Sequence, residues 1–208
     1  MENFDGIIFD VDGTLWDSTP VVEKAWNRAL RDNGIDYVDI TADQLKGLFG
    51  LPMEDIIDRL LPMESLEKRR QLGPVCFSYE EEALRKEAGI PYPGLMATMN
   101  LLKEKYPLFI VSNCQAGYIE LFCEKMGLGG YIRDHCCPGD TGMLKAENIR
   151  FIAERNGLRK PVYVGDTQMD ADACQKAGVP IIYAAYGFGR VKEPDYVIGS
   201  FGELKELL

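Results

Sequence analysis

The sequence predicts an α/β protein whose parallel sheet is interrupted by one all-helical insert. From residue 95 onward, short apolar runs alternate with segments of helical periodicity, which is the pattern of successive parallel βαβ units. An earlier apolar run over residues 6–9 indicates a first buried strand, whereas nothing in residues 17–90 alternates as a strand does. We therefore predict a core domain made of residues 1–16 and 91–208, with a helical domain of residues 17–90 inserted into it.

Composition limits the classes of partner. The chain has 208 residues, which is long enough to bury a hydrophobic core without disulfide cross-links. Its net charge of −10 repels phosphate backbones, so we expect no nucleic-acid partner. For the same reason, a phosphorylated substrate would require positive charge placed locally at its binding site.

Neither the N-terminus nor the cysteines indicate secretion. The opening residues carry no basic region and no apolar run of signal-peptide length, and no stretch is long enough to span a bilayer. We therefore expect a cytoplasmic protein without a membrane partner. The six cysteines include no C-x-x-C pair, and their scatter favours reduced thiols over disulfides or a zinc site.

The first helix of the insert has clear boundaries. Ser18 or Thr19 followed by Pro20 marks its start, because proline is favoured at the first helical position. Apolar residues then repeat at helical spacing until Gly34, which ends the helix.

The rest of the insert is also predicted to be helical. Thr41, with Gln44 three residues later, matches a capping box at the start of the second helix. Residues 56–61 continue in helical register. Residues 64–88 are highly charged, contain Pro74 and are predicted to be helical in two pieces.

The segment 89–94 has the strongest turn signal in the chain, since it combines two prolines with two glycines. We interpret it as a hinge that returns the chain to the core. Strands are predicted beyond it at 108–111, 131–135, 162–164, 180–183 and 196–198. Helices are predicted at 95–105, 116–126, 145–156 and 170–177, with a further helix at the tail.

The first strand runs directly into two acids, a glycine and a threonine. Ligands of α/β proteins bind beyond the carboxyl ends of the strands, so Asp10 and Asp12 would face a site. Two neighbouring acids that lose water need a cation or a shared proton. Gly13 permits a sharp turn that presents N–H groups to an anion, and Thr14 adds a hydroxyl. The alternative is a polar turn that simply ends a strand.

Two further motifs add neutral and positive groups. Ser112 and Asn113 close the strand over 108–111, where they could bind a phosphoryl oxygen without adding charge, although a helix N-cap is the alternative. Lys145 starts a helix, where the helix dipole disfavours a cation, and this indicates a role in a site. A solvated lysine is the alternative there.

The last motif places Asp166 at the end of the strand over 162–164 and Asp170 four residues later, in the first turn of a helix. Carboxylate oxygens are the ligands that suit Mg²⁺, a hard cation that also accepts substrate phosphate. The sequence therefore contains four polar motifs, each placed at the end of a strand or the start of a helix.

In this order the four motifs resemble those of the haloacid dehalogenase (HAD) superfamily. The matching strings are D-x-D-G-T-L from Asp10, the serine Ser112 after a strand, G-x-x-K ending at Lys145, and G-D-T-x-x-D ending at Asp170. The insert lies between the first two motifs, where the family carries its helical C1 cap. The resemblance implies a Rossmann-like core with an all-helical cap, in the phosphoglycolate phosphatase and β-phosphoglucomutase-like branch, and a monomer as the default for capped members.

The resemblance also implies a role for each residue. Asp10 would be the nucleophile and Asp12 the general acid and base. Mg²⁺ would be held by Asp10, the backbone carbonyl of Asp12 and Asp166, with Asp170 either as a direct ligand or as a partner that acts through water. The residues that would bind and position the phosphoryl group are Gly13, Thr14, Ser112, Asn113 and Lys145, of which Lys145 also neutralises charge during catalysis.

The implied function is a Mg²⁺-dependent phosphatase that hydrolyses a small phosphorylated metabolite, of phosphoglycolate or sugar-phosphate type, through an aspartyl-phosphate. An acid at position 12 favours this chemistry, since dehalogenases of the superfamily lack one there. A phosphomutase of the β-phosphoglucomutase type would use the same residues. A non-catalytic HAD-fold binding module would usually have lost one of the acids. A phosphonatase would need a Schiff-base lysine in the cap, for which Lys24 and Lys46 are the candidates.

Overall fold

The computed structural model describes residues 4–208, which divide into two compact units. The core unit contains the described residues up to Asp17 together with Pro91–Leu208, and the helical unit is Ser18–Ile90. Short strands at the two crossings, β2 (Trp16–Asp17) and β3 (Ile90–Pro91), form a two-stranded sheet. The role of the helical unit as a cap domain stays a prediction.

The helical unit is built from four helices around its own hydrophobic cluster. They are α1 (Thr19–Asp32), α2 (Ala42–Lys46), α3 (Met53–Leu60) and α4 (Leu66–Lys86). Helix α1 has its proline in the first turn, as predicted. The predicted capping box of α2 is present, with Gln44 N–H donating to Thr41 Oγ1 at 3.3 Å and Thr41 N–H donating to Gln44 Oε1 at 2.9 Å.

The prediction of two helical pieces over residues 64–88 is wrong, because α4 is one helix with Pro74 inside it. Its buried side chains follow one another at intervals of four residues, at Leu72, Cys76, Glu80 and Leu84. This stripe packs against the neighbouring helices on both sides of the proline. Burial of a continuous stripe thus outweighs the loss of one backbone hydrogen bond at Pro74.

The core unit contains a six-stranded parallel sheet. Its strands are β1 (Gly6–Phe9), β4 (Leu108–Val111), β5 (Ile132–Cys136), β6 (Pro161–Gly165), β7 (Ile181–Ala184) and β8 (Tyr196–Ile198). Their spatial order is β5-β4-β1-β6-β7-β8, and the five pairings of neighbours within this sheet are parallel. This confirms the predicted α/β class and Rossmann-like architecture, and each predicted strand lies within one residue of its observed bounds.

Helices flank this sheet and bury its central strands. They are α5 (Leu95–Leu102), α6 (Tyr118–Met126), α7 (Pro138–Thr141), α8 (Lys145–Arg155), α9 (Gln168–Ala177) and α10 (Leu204–Leu207). One cluster joins Ile149 of α8 and Cys174 of α9 to Ile8, Phe109 and Tyr163 of the sheet. The central strands are apolar throughout because both faces of a parallel sheet are covered. Helix α7 was not predicted, since four residues are too few to show a period.

Among the described residues, none of the helices combines the length and apolar character needed to cross a bilayer. All six cysteines are free thiols, and five of them are buried.

Candidate active site

The register of the sheet brings the predicted acids to one edge. Phe9 of β1 pairs with Ile110 of β4 on one side and with Val164 of β6 on the other, so the carboxyl ends of the three strands are level. Asp10 and Asp166 therefore leave the sheet side by side. Oxygen atoms of Asp10, Asp166 and Asp170 all lie within 4.8 Å of one another, and the three side chains are buried.

Asp166 is fully buried, and both of its carboxylate oxygens accept hydrogen bonds. Its Oδ1 accepts a hydrogen bond from Thr14 Oγ1 at 3.2 Å, and its Oδ2 accepts one from Phe188 N–H at 2.7 Å. Gly13 has φ +78°, and a Cβ there would lie 2.9 Å from Asp166 Oδ1 and closer still to Oδ2. Only glycine fits this turn, which presses against the acid. The hydroxyl of Thr14 supports Asp166 in this structure, and its predicted contact with substrate stays a prediction.

Asp170 is oriented by the start of its own helix. Its Oδ2 accepts hydrogen bonds from Thr167 N–H at 2.9 Å, from Thr167 Oγ1 at 2.7 Å and from Asp166 N–H at 3.2 Å. Thr167 Oγ1 also accepts a bond from the backbone N–H of Asp170, which completes a capping box. The other oxygen of Asp170 is thereby turned toward Lys145.

Lys145 is the cation of the cluster. Its Nζ lies 3.0 Å from Asp10 Oδ1 and also contacts Asp170 Oδ1, and the residue is only 6% exposed. The unfavourable dipole at the start of α8 is offset by these two buried carboxylates. The sequence-based suggestion that this lysine has a role beyond solvation agrees with its burial.

The pKa values of these groups are shifted because several charged side chains are buried close together, away from water. Burial raises the pKa of Asp10 to about 6, with Lys145 opposing the rise and Asp170 adding to it. Burial also raises the pKa of Asp166 well above its ordinary value, and repulsion from Asp170 and Asp10 adds to that shift. Burial lowers the pKa of Lys145, but attraction to Asp10 and Asp170 outweighs this effect and raises it overall. The lysine therefore stays charged.

The cluster fits a divalent cation. Its three carboxylates and one ammonium sum to −3 + 1 = −2 when all are ionised. Asp10 Oδ1 is buried without a hydrogen bond of ordinary geometry, although Lys145 Nζ lies nearby. Oxygen ligands of this kind suit a hard cation, and a divalent cation would offset the mutual repulsion of the three carboxylates.

The remaining predicted residues surround this cluster. Asp12 is half-buried, and its Oδ1 accepts a hydrogen bond from Tyr118 Oη at 2.9 Å. Ser112 is 4% exposed, and its hydroxyl hydrogen-bonds to the Asp10 carboxylate, which partly opposes the rise that burial causes in the pKa of that acid. Asn113 follows and is half-buried. The predicted contacts of these residues with a substrate stay predictions.

Sequence reasoning missed the loop after β7, residues 186–189. Phe188 supplies the backbone N–H that binds Asp166, and Tyr186 Oη donates to the carbonyl of Thr14 at 2.8 Å. The Tyr186 ring stacks edge-on against Tyr92, with centroids 4.7 Å apart. The alternation of glycines with aromatics directly after an apolar strand is the signal that could have indicated this loop.

Comparison with known proteins identifies the family. The model of the haloacid dehalogenase-like hydrolases matches residues 7–184. The chain belongs to this family, as its four motifs predicted.

Among curated relatives, a phosphoglycolate phosphatase of Rhodobacter capsulatus is 28% identical over 191 residues, covering 88% of this chain and 84% of the relative. A phosphoglycolate phosphatase of Agrobacterium fabrum is 29% identical, covering 97% and 91%. The crystal structure of a predicted phosphoglycolate phosphatase from Haemophilus somnus superposes with a TM-score of 0.87 at 20% identity, covering 100% of this chain and 99% of that one. That likeness concerns the fold, whereas the family and the curated relatives together make this chain a HAD-family phosphatase.

Proposed function

We propose that this phosphatase hydrolyses a small phosphate monoester with the help of Mg²⁺, through a phosphorylated Asp10. The observation that carries the proposal is the buried group of Asp10, Asp166 and Asp170 with Lys145 Nζ 3.0 Å from Asp10. Phosphoryl transfer depends mainly on positioned charge, and this group supplies acids for a metal and an ammonium for phosphoryl oxygens.

In the first step, a carboxylate oxygen of Asp10 attacks phosphorus in line with the ester oxygen. The new Asp10–phosphorus bond forms as the bond between phosphorus and the ester oxygen breaks, and Asp12 donates its proton to the departing oxygen to release an alcohol. Lys145 compensates charge on the transferred group, because its ammonium stays protonated between two acids.

In the second step, a water molecule attacks the phosphorus of phosphorylated Asp10. Asp12, now ionised, accepts a proton from this water, inorganic phosphate leaves, and Asp10 returns to its starting carboxylate form. Asp12 therefore serves as acid and then as base within one cycle. It is half-buried rather than enclosed, which suits a group that must meet both the alcohol and the water.

Mg²⁺ would be held by the carboxylates of Asp10, Asp166 and Asp170 and by the backbone carbonyl of Asp12. When bound, it supplies positive charge that draws the phosphate ester toward the acids and offsets the charge developing on the phosphoryl oxygens. The support of Asp166 by Thr14 and by Phe188 N–H keeps this side of the site rigid before any ligand arrives.

For the substrate we propose phosphoglycolate or a sugar phosphate of similar size, because the curated relatives named above are phosphoglycolate phosphatases. We further propose that the helical unit serves as the cap domain and that the protein acts as a monomer without a nucleic-acid or membrane partner. A Schiff-base mechanism lacks support, because such a lysine must be desolvated. The Lys24 side chain is 68% exposed and pairs with Glu87. The Lys46 side chain is 35% exposed, with its Nζ 3.9 Å from Asp43.

The test is a panel of small phosphate esters with Mg²⁺, comparing the wild type with Asp10→Asn. We expect phosphate release by the wild type and a loss on the order of a thousandfold or more in the variant, since an amide cannot serve as the nucleophile. Asp172→Asn is the matched control, because Asp172 is an exposed acid of α9 outside the cluster. Full activity of Asp10→Asn would refute the proposal, and isomerisation of β-glucose 1-phosphate without phosphate release would identify a phosphomutase.

A further inference from the structure

A tyrosine from a distant part of the chain contacts the proposed acid of the reaction. Tyr118 Oη donates a hydrogen bond to Asp12 Oδ1 at 2.9 Å, across 106 residues of sequence. Tyr118 is the first residue of α6, which begins just after the Ser112–Asn113 strand end. We propose that Tyr118 is a positioning residue that holds the Asp12 carboxyl in the orientation needed to protonate the leaving oxygen. This inference rests on the proposed phosphatase function.

The tyrosine ring is itself held in place. Tyr118 is 4% exposed, and its ring packs edge-on against Trp16, with centroids 6.1 Å apart and planes at 71°. Trp16 is fully buried and packs in turn against Phe122 at 5.0 Å. Because both rings are fixed by packing, the hydroxyl is presented to Asp12 with little loss of side-chain entropy.

Trp16 also ties this contact to the motif turn. The backbone N–H of Gly13 donates to the carbonyl of Trp16 at 2.9 Å, and Asp12 and Trp16 form an isolated β-bridge. The backbone of Asp12 and the ring that carries the Tyr118 hydroxyl are therefore positioned by the same tryptophan. Such support by a neighbouring residue is how a reactive group is kept within a narrow range of angles.

The hydrogen bond also selects the oxygen that carries the reactive proton. A donor at Oδ1 favours the acid form of Asp12 in which the proton resides on Oδ2. That proton moves to the ester oxygen as the bond from this oxygen to phosphorus breaks and the bond from Asp10 to phosphorus forms. Tyr118 keeps its own proton throughout, so the step balances without a further reactant.

The leaving group provides a readout that a purely structural role would not change. Phenyl phosphate and 4-nitrophenyl phosphate have similar shapes, but phenolate is the stronger base and needs protonation more as it departs. A misaligned Asp12 would therefore slow the phenyl ester selectively. The parameter to measure is kcat/KM, because it reports on phosphoryl transfer to Asp10 rather than on the later hydrolysis that both esters share.

The experiment compares the wild type with Tyr118→Phe on both esters in the presence of Mg²⁺. We expect kcat/KM to fall about tenfold for phenyl phosphate and by less than about twofold for 4-nitrophenyl phosphate. The variant keeps the ring against Trp16, so its thermal unfolding should match that of the wild type. Equal losses on the two esters, or no loss on either, would overturn the inference.

Three further variants complete the design. Tyr106→Phe removes a hydroxyl that donates to the carbonyl of Leu208 at 2.8 Å, and it should leave both esters unaffected. Asp12→Asn should itself be selective for the phenyl ester, and adding Tyr118→Phe to it should cause no further selective loss. If the wild type releases phosphate from neither aryl ester nor any ester of the panel, the proposed function fails and this inference with it. If Asp12→Asn is selective and Tyr118→Phe is not, the inference alone fails.

Discussion

Asp166 is held on several sides by groups that are small or belong to the backbone. Thr14 and Phe188 N–H bind its two oxygens, and Gly187 packs directly against it. A Cβ at Gly187 would overlap Asp166 Cβ and the carbonyl of Gly13, and would lie 2.7 Å from Asp166 Oδ2. At the scale of single residues, the absence of a side chain at Gly187 is thus a condition for the position of a proposed metal ligand.

We predict that Gly187→Ala displaces Asp166. Overpacking of this kind costs about 1–3 kcal/mol in the free energy of unfolding, which urea denaturation measures. Displacement of a ligand should also weaken divalent-metal binding by about tenfold, measured by calorimetric titration. Gly129→Ala is the control, because a Cβ at Gly129 meets nothing within 4 Å and the residue is exposed. Unchanged metal affinity in Gly187→Ala would show that the loop does not position the acid.

At the scale of elements, α4 shows how packing overrides a local signal. Pro74 removes the hydrogen bond to the carbonyl of Arg70 and would be expected to break the helix. The buried stripe on the same helix, which includes Leu72 and Cys76 on either side of the proline, continues without a shift. The helix therefore contains a residue that weakens it locally while its packed face holds it together.

We predict that Pro74→Ala stabilises the protein. Alanine restores the missing N–H donor, and after allowance for the greater freedom of the unfolded chain the gain should be about 1–2 kcal/mol. The ring of Pro74 is exposed, so its removal leaves no cavity. Ser78→Ala, at another exposed position of α4, should gain no more than about 0.5 kcal/mol. Urea unfolding followed by far-UV circular dichroism measures both, and a loss of stability in Pro74→Ala would contradict this account of the helix.

At the scale of the whole molecule, the acid cluster couples folding to pH and to metal. The pKa of Asp10 is raised from 3.8 to about 6 by burial, and burial raises that of Asp166 in the same direction. Between pH 3.8 and about 6 the Asp10 carboxyl binds more protons in the folded state than in the unfolded state. The free energy of unfolding therefore falls as pH rises through about 6. A bound divalent cation would reverse this loss, because it competes with protons for the same oxygens.

We therefore predict that Mg²⁺ raises the melting temperature more at about pH 7.5 than at about pH 5. Thermal unfolding of the chelator-treated protein, with and without Mg²⁺ at each pH, measures the difference. Asp166→Asn should reduce the metal-induced shift, whereas the exposed Asp172→Asn should keep it. Equal shifts at both pH values in the wild type would contradict the proposed metal site.

The sheet and much of the candidate site could be predicted from local patterns in the sequence. Apolar runs that end in acids predict where β1 and β6 stop, and parallel strands must bring their carboxyl ends to one edge. Asp10 and Asp166 were therefore predictable as neighbours, because each follows an apolar strand and the two strands are parallel. The same logic identified the serine and asparagine at the end of β4.

The side chains that support these acids come from distant parts of the chain and are known from the folded structure alone. Thr14 reaches Asp166 across 152 residues, Tyr118 reaches Asp12 across 106, and Gly187 closes against Asp166 from a loop without a regular period. Nothing in the local sequence encodes such contacts, because they arise from how separate elements pack around one buried charge. The single helix through Pro74 has the same origin. The free energy gained by burying its long apolar stripe depends on packing against other helices, so it cannot be predicted from a few neighbouring residues.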